Sequence, residues 1–555
     1  MKQHVFARVP AVNIPRSVFP LSHNLKTTMD VDYLYPIFVG EALPADTWVF
    51  SQKIFGRMTT PLTPLMDDLY IDTFYFAVPV RLVDDEFKKL MGERPFGDLK
   101  NDYVTPMLNT GDSGVAFGSL YDYLGVPPSV PNLDFLSWYP RAYNLVWNEF
   151  FRDENLVDGA PVAGIHSDGT VTTEALSDYI LRKRGKRHDY YTSCTPWPQK
   201  GDAAQMSFSG LSGSVVATGN LQLKYNNPSN NTWQTGYYAY MSNYSNATPG
   251  IVTSKPATAP TYPAVSGDNI SYVNPSTSPT GRPAVYDGGL GVQFADLPAF
   301  TINEFREGVA MQHLLEQWAR GGTRYTELLR SCFGVVSPDA RLQRPEYLGG
   351  SSQALNVTTI AQTSETTASS PLGNLASFVT MTNDASFTKS FTEHTIIIGL
   401  CNIRANLTYS QGLNRMFSRR TKFDFYWPAL ANLGEQVVKN REIFAQGDSV
   451  LAEDGVTPVD DGVFGYQERW AEYRYMPNRL TGLMRPTAPN SLDAWHLSQK
   501  FDNLPVLNDE FIQESVPIDR VVAVTDEPPF LVDAYFDIRA ARPMPIYSVP
   551  GLNRL

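Results

Sequence analysis

Three cysteines in 555 residues are too few and too scattered for a disulfide framework. Cys194, Cys332 and Cys401 lie far apart and are odd in number, which also excludes a zinc knuckle; they read as buried thiols in a reducing compartment. Charge is scarce as well. Asp, Glu, Lys and Arg together make 18% of the chain, where soluble domains carry roughly 25%. Acids outnumber bases 57 to 45, for a net charge of −12. That balance argues against a generic nucleic-acid binder built on a basic domain, while leaving local basic patches open. Long apolar runs are missing: the strongest, TIIIGLC at 395–401, is far short of the ~20 residues that span a bilayer. Residues 1–17 are broken by Arg8, Pro10, Pro15 and Arg16, so they hold no apolar core of the roughly 7–15 residues a signal peptide needs. A soluble protein, made and kept in a cytoplasm, is the expectation.

Motifs for catalysis are just as thin. There is no G-x-x-x-x-G-K-[ST] loop and no G-x-G-x-x-G after a strand. The histidines (His4, His23, His166, His188, His313, His394 and His496) never fall at H-E-x-x-H or metal-ligand spacing. Two Gly-Asp-Ser starts, at 111–113 and 447–449, resemble a hydrolase elbow, but Val115 and Leu451 stand where its closing glycine belongs. Asp67, Asp68 and Asp72 could gather around a hard cation. Without an EF-hand-like glycine or a closing Glu, turn chemistry at a strand entry is the better reading. We expect no enzyme, no cofactor and no metal.

Apolar and aromatic residues are what the chain has in quantity: 43% and 12%, with 30 Phe, 29 Tyr and 9 Trp. This composition excludes global disorder. Combined with so few charges, it suggests much surface buried against other chains. Strands are expected at 34–39, 47–55 and 68–79; the last is apolar on both faces, with Tyr70, Phe74, Phe76 and Val78 on one, as in the middle of a packed sandwich. Short helices are expected over 81–91 and 140–151, the latter with a stripe of Tyr143, Val146, Trp147 and Phe150. TINE at 301–304 is a capping box opening a helix striped by Phe305, Val309 and Leu315 or Trp318 and stopped at Gly321-Gly322. A second helix is expected at 325–332, a Pro- and Gly-marked loop at 335–350, and strands at 393–409, 464–476 and 533–539. Strands at both ends with helices and an insertion between them predict one interrupted antiparallel sandwich.

Five segments follow. Residues 1–30 form an extended, mildly basic arm, with Lys2, Arg8, Arg16 and Lys26 against Asp30, and with Pro10, Pro15 and Pro20 preventing a helix. Residues 31–200 hold the first part of the sandwich with helical insertions. Residues 201–291 carry only six charges amid Asn, Ser, Thr, Gly and Pro, together with Trp233, Tyr237, Tyr238, Tyr240 and Tyr244. A segment of that length is an inserted subdomain or a functional loop. Residues 292–350 are helices and loop, and 351–555 the second part of the sandwich with a C-terminal arm. Two basic runs stand out: RKRGKRH at 182–188, and Arg415, Arg419, Arg420 and Lys422 interleaved with Phe417, Phe423, Phe425, Tyr426 and Trp427. Cations with aromatics are what holds single-stranded nucleic acid. The alternative is an intersubunit salt-bridge network over a core strand.

Several blocks resemble the major capsid proteins of the Microviridae, small single-stranded DNA bacteriophages, and specifically their gokushovirus branch. They are HNLKTT at 23–28 continuing into 33–38, TPLTPLMD at 60–67 with 70–79, RGGTRYTE at 320–327, SPDARLQRPEYLGG at 337–350, FGYQERWAEYRY at 464–475, SLDAWHL at 491–497 and RPMPIYSVPGL at 542–552. The blocks span essentially the whole chain. The resemblance implies a mainly β fold, an eight-stranded antiparallel jelly roll with long insertions. It implies a T=1 icosahedral shell of sixty copies, with fivefold, threefold and twofold contacts, around circular single-stranded DNA. The 201–291 insertion would project at the threefold axes, with Trp233, Tyr237, Tyr238, Tyr240 and Tyr244 as host-attachment candidates. Arg415, Arg419, Arg420, Lys422, Arg8 and Arg16 would be the DNA-facing candidates. Implied partners are a small basic internal DNA-binding protein, a minor pilot protein and a host surface receptor, with assembly in the bacterial cytoplasm and residence in the virion. A non-viral β-sandwich that binds carbohydrate or acts in adhesion is the alternative, its Tyr/Trp-rich insertion stacking on sugars. A third option is a glycoside hydrolase using Glu468 and Glu472, though alternating surface charge explains those two better.

Overall fold

The structure is a computed structural model that describes residues 15–94, 96–97, 103–162, 174–204, 302–364, 366 and 371–547, together with the backbone of six short strands between 213 and 294. It is mainly β and built from antiparallel sheets. The principal strands are β1 (Ser17–Pro20), β2 (His23–Met29), β3 (Tyr35–Ala42), β4 (Thr47–Met58), β5 (Leu69–Pro79), β6 (Glu346–Ala354), β7 (Asn356–Ala361), β8 (Leu375–Ser390), β9 (Thr395–Ala405), β10 (Glu435–Lys439), β11 (Val463–Glu468) and β12 (Phe530–Arg542).

Two sheets make the sandwich. The larger runs β12-β4-β8-β7, with β1 and β2 paired in succession along the free edge of β12. The smaller runs β6-β5-β9-β3. From β2 to β5 the chain steps between the sheets at each strand, and it steps again at β7, β9 and β12, which is the wrapping of a double-sheet jelly roll with insertions. The sheets hold six and four strands, not the eight in all that were expected.

Strand patterns follow from what covers each face. β4 alternates, with Trp48, Phe50, Gln52, Ile54 and Met58 buried and Val49, Lys53, Phe55 and Arg57 exposed. β9 has no exposed residue at all, because both its faces are covered. On one side, Phe38, Phe50, Tyr75, Phe387 and Phe536 close the space between the sheets, with the Phe50 and Phe387 rings stacked at 4.6 Å. On the other side, Phe76, Val78, Ile396, Ile398 and Leu400 meet Tyr143, Val146 and Trp147 of helix α1 (Trp138–Phe150). The smaller sheet is therefore the middle layer of three. Each such side chain, fully buried, contributes about 1.5–3 kcal/mol.

A polar cluster also lies between the sheets. Asn383 accepts from Gln52 Nε2 (2.8 Å), Thr73 Oγ1 (3.0 Å) and Ser351 Oγ (2.6 Å), and donates to the Ile71 carbonyl (3.1 Å). Tyr75 donates to Gln52. A one-residue slip of β8 would strand these groups, so the cluster fixes register.

Three expectations need correction. The 1–30 segment is not an arm along its whole length, since 17–20 and 23–29 are strands hydrogen-bonded to β12. The 335–350 loop ends early, because 346–350 already belong to β6. Gly349 (φ +151°) sits at a register shift against β5, and a Cβ on Gly350 would lie 2.0 Å from the Thr73 carbonyl oxygen. Those glycines serve a bulge and a close backbone approach rather than a turn. The 464–476 strand stops at Glu468. Trp470 takes a left-handed conformation (φ +68°), held by its backbone N–H on Gln436 and its indole N–H on the Leu430 carbonyl.

Helix α2 (Ile302–Arg320) is followed by Gly321-Gly322 and α3 (Tyr325–Phe333). Gly322 and Gly334, at φ +93° and +68°, end the two helices as glycine stops do. Thr301 of the expected capping box lies outside the described residues. Residues 203–312 form a second unit. In it, Leu221–Asn227 and Thr232–Tyr240 pair antiparallel with a bulge, and Gly213–Ala217 pairs with Leu290–Phe294.

Candidate interaction surfaces

The first basic run is tied into the fold, with Lys186 buried, Arg182 to Arg184 half-buried, and Arg187 and His188 exposed. Its backbone is threaded as an extended strip: Leu34 N–H donates to the Arg182 carbonyl, Arg184 N–H to Asp32, Lys186 N–H to Ile512 and Glu514 N–H to Arg184. Four of its side chains find partners in the fold. Arg182 lies over the Trp147 ring at 4.8 Å, and Lys186 over Phe511 at 4.3 Å. Arg184 and Arg187 converge with Arg404 of β9 on one carboxylate, Asp72 of β5, at 2.6, 3.2 and 2.8 Å. Asp72 is 1% exposed. Burial alone would raise its carboxyl, but the hydrogen bonds and charge of Arg404 and Arg184 outweigh it, so it is held below the ordinary value.

Around this hub, burial pushes Asp32 up to about 6 and Glu514 up to about 8, and pulls Lys186 down to about 8. The acid cluster of the sequence is thus divided. Asp67 accepts from the backbone N–H groups of Asp68 and Leu497, as a turn carboxylate does, while Asp72 is an ion-pair centre. Beside the hub, a cleft of about 970 Å³ carries further arginines. These too are matched: Arg324 with Glu154 at 3.0 Å, Arg344 with Asp339 at 2.7 Å, and Arg320 with Glu435.

The second basic run divides into two pairs. Arg415 donates to Glu442 (3.0 Å) and to the Val437 carbonyl (2.8 Å), and lies 3.7 Å from Glu472. Glu442 is 4% exposed, and its burial raises the carboxyl in spite of Arg415. Arg419 lies 3.8 Å from Glu472 and stacks over Tyr473 at 4.3 Å. Arg420 and Lys422 are exposed, with no carboxylate within ion-pair distance among the described residues. Lys422 lies over the Phe423 ring at 5.1 Å. Around them the aromatics face outward: Phe417 66%, Phe423 59%, Phe425 49%, Tyr426 48% and Trp427 51% exposed.

Short turns hold this platform in shape. Asn414 caps one by accepting from Met416 N–H, Asp424 accepts from the backbone of Arg420 and Thr421, and the Trp427 indole donates to the Lys422 carbonyl. Arg16 is exposed and donates to the Ala45 carbonyl. Arg8 lies outside the described residues. Trp233, Tyr237, Tyr238 and Tyr240 fall on the strand Thr232–Tyr240, and Tyr244 lies outside the described residues. Glu468 pairs with Arg320 and Arg474, and Glu472 with the arginines above. Cys194 and Cys401 are buried and Cys332 is half-buried, all as free thiols. Among the described residues no helix is long and apolar enough to cross a membrane, and no group of three His, Cys, Asp or Glu is placed to hold a metal ion.

The Asp72 hub was not anticipated, yet it has a signal. An acid inside a strand apolar on both faces, and an arginine inside TIIIGLCNIRA, each demand a buried partner of opposite charge.

Comparison with known proteins places this geometry. A family model described as capsid protein (F protein) matches residues 7–552. Capsid protein VP1 of Chlamydia phage 1 is 41% identical, over 99% of this chain and 98% of the relative. VP1 of Bdellovibrio phage phiMH2K is 39% identical over 99% and 98%, and VP1 of Spiroplasma virus 4 is 35% identical over 100% and 98%. A double-sheet sandwich with an arginine–carboxylate hub in its interior and an ordered aromatic surface left uncovered suits a subunit of a larger structure, and the chain belongs to the capsid protein (F protein) family of the Microviridae, with the role of a structural capsid protein.

Proposed function

We propose that the chain assembles in the host bacterial cytoplasm into a sixty-copy T=1 shell enclosing circular single-stranded DNA, and that the second unit serves attachment to the host. The observation that carries the shell is the uncovered platform at 413–433. A core this complete has no need of five outward aromatics within eleven residues, and an interface core does. Arg415 and Arg419 spend their charge on Glu442 and Glu472, so contact with the genome is assigned to Arg16 and Arg8 of the N-terminal segment, helped by a small basic internal protein. A pilot protein and a host receptor complete the set of partners. Trp233, Tyr237, Tyr238, Tyr240 and Tyr244 are the residues proposed to meet the receptor.

Electron cryomicroscopy of native particles tests the reading. Closed icosahedral shells with knobs at the threefold axes are expected, and a population of free monomers would overturn it. Deleting 201–291 and bridging the ends separates the two roles: shells should form and attachment should be lost. Folded chains that no longer assemble would show that the second unit is no separable appendage.

A further inference from the structure

The platform has a counterpart elsewhere on the same chain. Residues 447–458 form a tight hairpin, closed by Ala452 N–H on the Thr457 carbonyl (2.8 Å) and Val459 N–H on the Val450 carbonyl (2.9 Å). Every residue from 445 to 457 is exposed. Val450, Leu451 and Val456 face solvent at 40, 46 and 79%. The charged residues of this stretch, Asp448, Glu453 and Asp454, are all acidic, and none is in an ion pair among the described residues. The hairpin is stiff. Asp454 accepts from Val456 N–H, Thr457 N–H and the Thr457 hydroxyl, which hold its carboxyl down at about 2. At the base, Asp460 accepts from the backbone N–H groups of Gln446 and Gly447, both at 2.9 Å.

We propose that the 447–458 hairpin of one copy seats on the 413–433 platform of a second copy of this chain, its apolar side chains against Phe417, Phe423, Phe425 and Trp427 and its acids against Arg420 and Lys422. The inference rests on the shell reading and names the contact within it. Both surfaces combine exposed apolar groups with charges that form no ion pair among the described residues, and the signs are opposite. Both are ordered by their own hydrogen bonds, so little freedom is lost on docking. Single-stranded nucleic acid would suit the platform's cations and rings, but it would leave the hairpin acids unmatched and repelled. A second copy satisfies both patches at once, and in a shell made of one chain every copy brings both.

The test uses charge reversal with rescue, each variant carried in the viral genome and particles counted in lysates by electron microscopy. Asp448→Lys with Glu453→Lys spares Asp454, so the hairpin keeps its turn; Arg420→Glu with Lys422→Glu spares the backbone atoms that shape the platform. Each pair should cut particle yield at least about tenfold through like-charge juxtaposition, with soluble chain of unchanged melting temperature accumulating instead. The four substitutions together should restore particles. Wild-type particles with undiminished yield in either double variant would overturn the contact, as would failure of the fourfold variant to recover. Intact shells with depleted DNA in the Arg420→Glu, Lys422→Glu variant would also overturn it and give the platform to the genome. Absence of particles from wild type would sink the shell reading itself.

Discussion

Replacing Asp72 by Asn keeps the shape of the hub and removes the charge on which three guanidinium groups converge. Two of the three pairs are almost dry, with side-chain exposures of 3% for Arg404 and 14% for Arg184 against 1% for Asp72. The third, to Arg187, is half in solvent at 52% and contributes about 0–1 kcal/mol. Breaking a buried pair by neutralising one partner costs about 3–5 kcal/mol, because the surviving charge is left uncompensated. Set against a total stability of about 5–15 kcal/mol, this is a large share. Urea denaturation followed by tryptophan fluorescence should show a midpoint lowered by on the order of 1 M. The pH dependence supplies a second reading. The folded-state carboxyl lies below its ordinary value, so the hub's contribution is complete above about pH 4 and is lost as pH falls through the lower folded value. The gap between wild type and Asp72→Asn should therefore be widest near neutrality and close in acid. An unchanged midpoint, or a gap that stays constant down to pH 2, would refute the argument that Asp72 anchors the arginines.

Gly350→Ala would drive a Cβ into the Thr73 carbonyl, so β6 must part from β5; a loss of about 2 kcal/mol or more is expected in the same denaturation assay. Arg415→Gln leaves Glu442 buried without its cation and should cost about 1–3 kcal/mol, whereas exposed Arg420→Gln should leave the midpoint where it is. Burial raises the Glu514 carboxyl from 4.5 to about 8, so the folded state holds its proton more tightly than the unfolded chain does, and wild-type stability falls as pH rises between those values. Glu514→Gln should remove that fall, and its stability relative to wild type should climb from pH 5 to pH 8 in thermal melts at fixed ionic strength.

Where the sequence announced a strand, the reason was a plain apolar pattern, continuous where both faces are buried and alternating where one is. The expected 34–39, 47–55, 68–79 and 393–409 strands correspond to β3, β4, β5 and β9, whose apolar runs are continuous or alternate cleanly. β8 is the longest strand and gave no such notice. Its inward face is Ser377, Val379, Met381, Asn383, Ala385 and Phe387, while Leu375 at the strand's start and Phe378 on the opposite face are exposed at 47 and 43%. The period of two is present, but hydrophobicity does not mark which face is the core. Asn383 is the cause: it is buried to satisfy Gln52, Thr73 and Ser351. That satisfaction is tertiary and leaves no local trace.

The basic runs show the same limit from the side of function. Composition identified Arg182 to Arg187 and Arg415 to Lys422 as unusual in an acidic chain, and it could not say where their counter-charges were. Asp72 lies more than a hundred residues from Arg184 and over three hundred from Arg404; Glu442 and Glu472 lie 27 and 57 residues beyond Arg415. Local spacing carries no information at such separations. What separates a structural cation from one free to meet a partner is whether a carboxylate has been folded against it. By that criterion the 413–433 segment divides between Arg419 and Arg420, neighbours in sequence, one stacked on Tyr473 and 3.8 Å from Glu472, the other exposed with no carboxylate within ion-pair distance among the described residues.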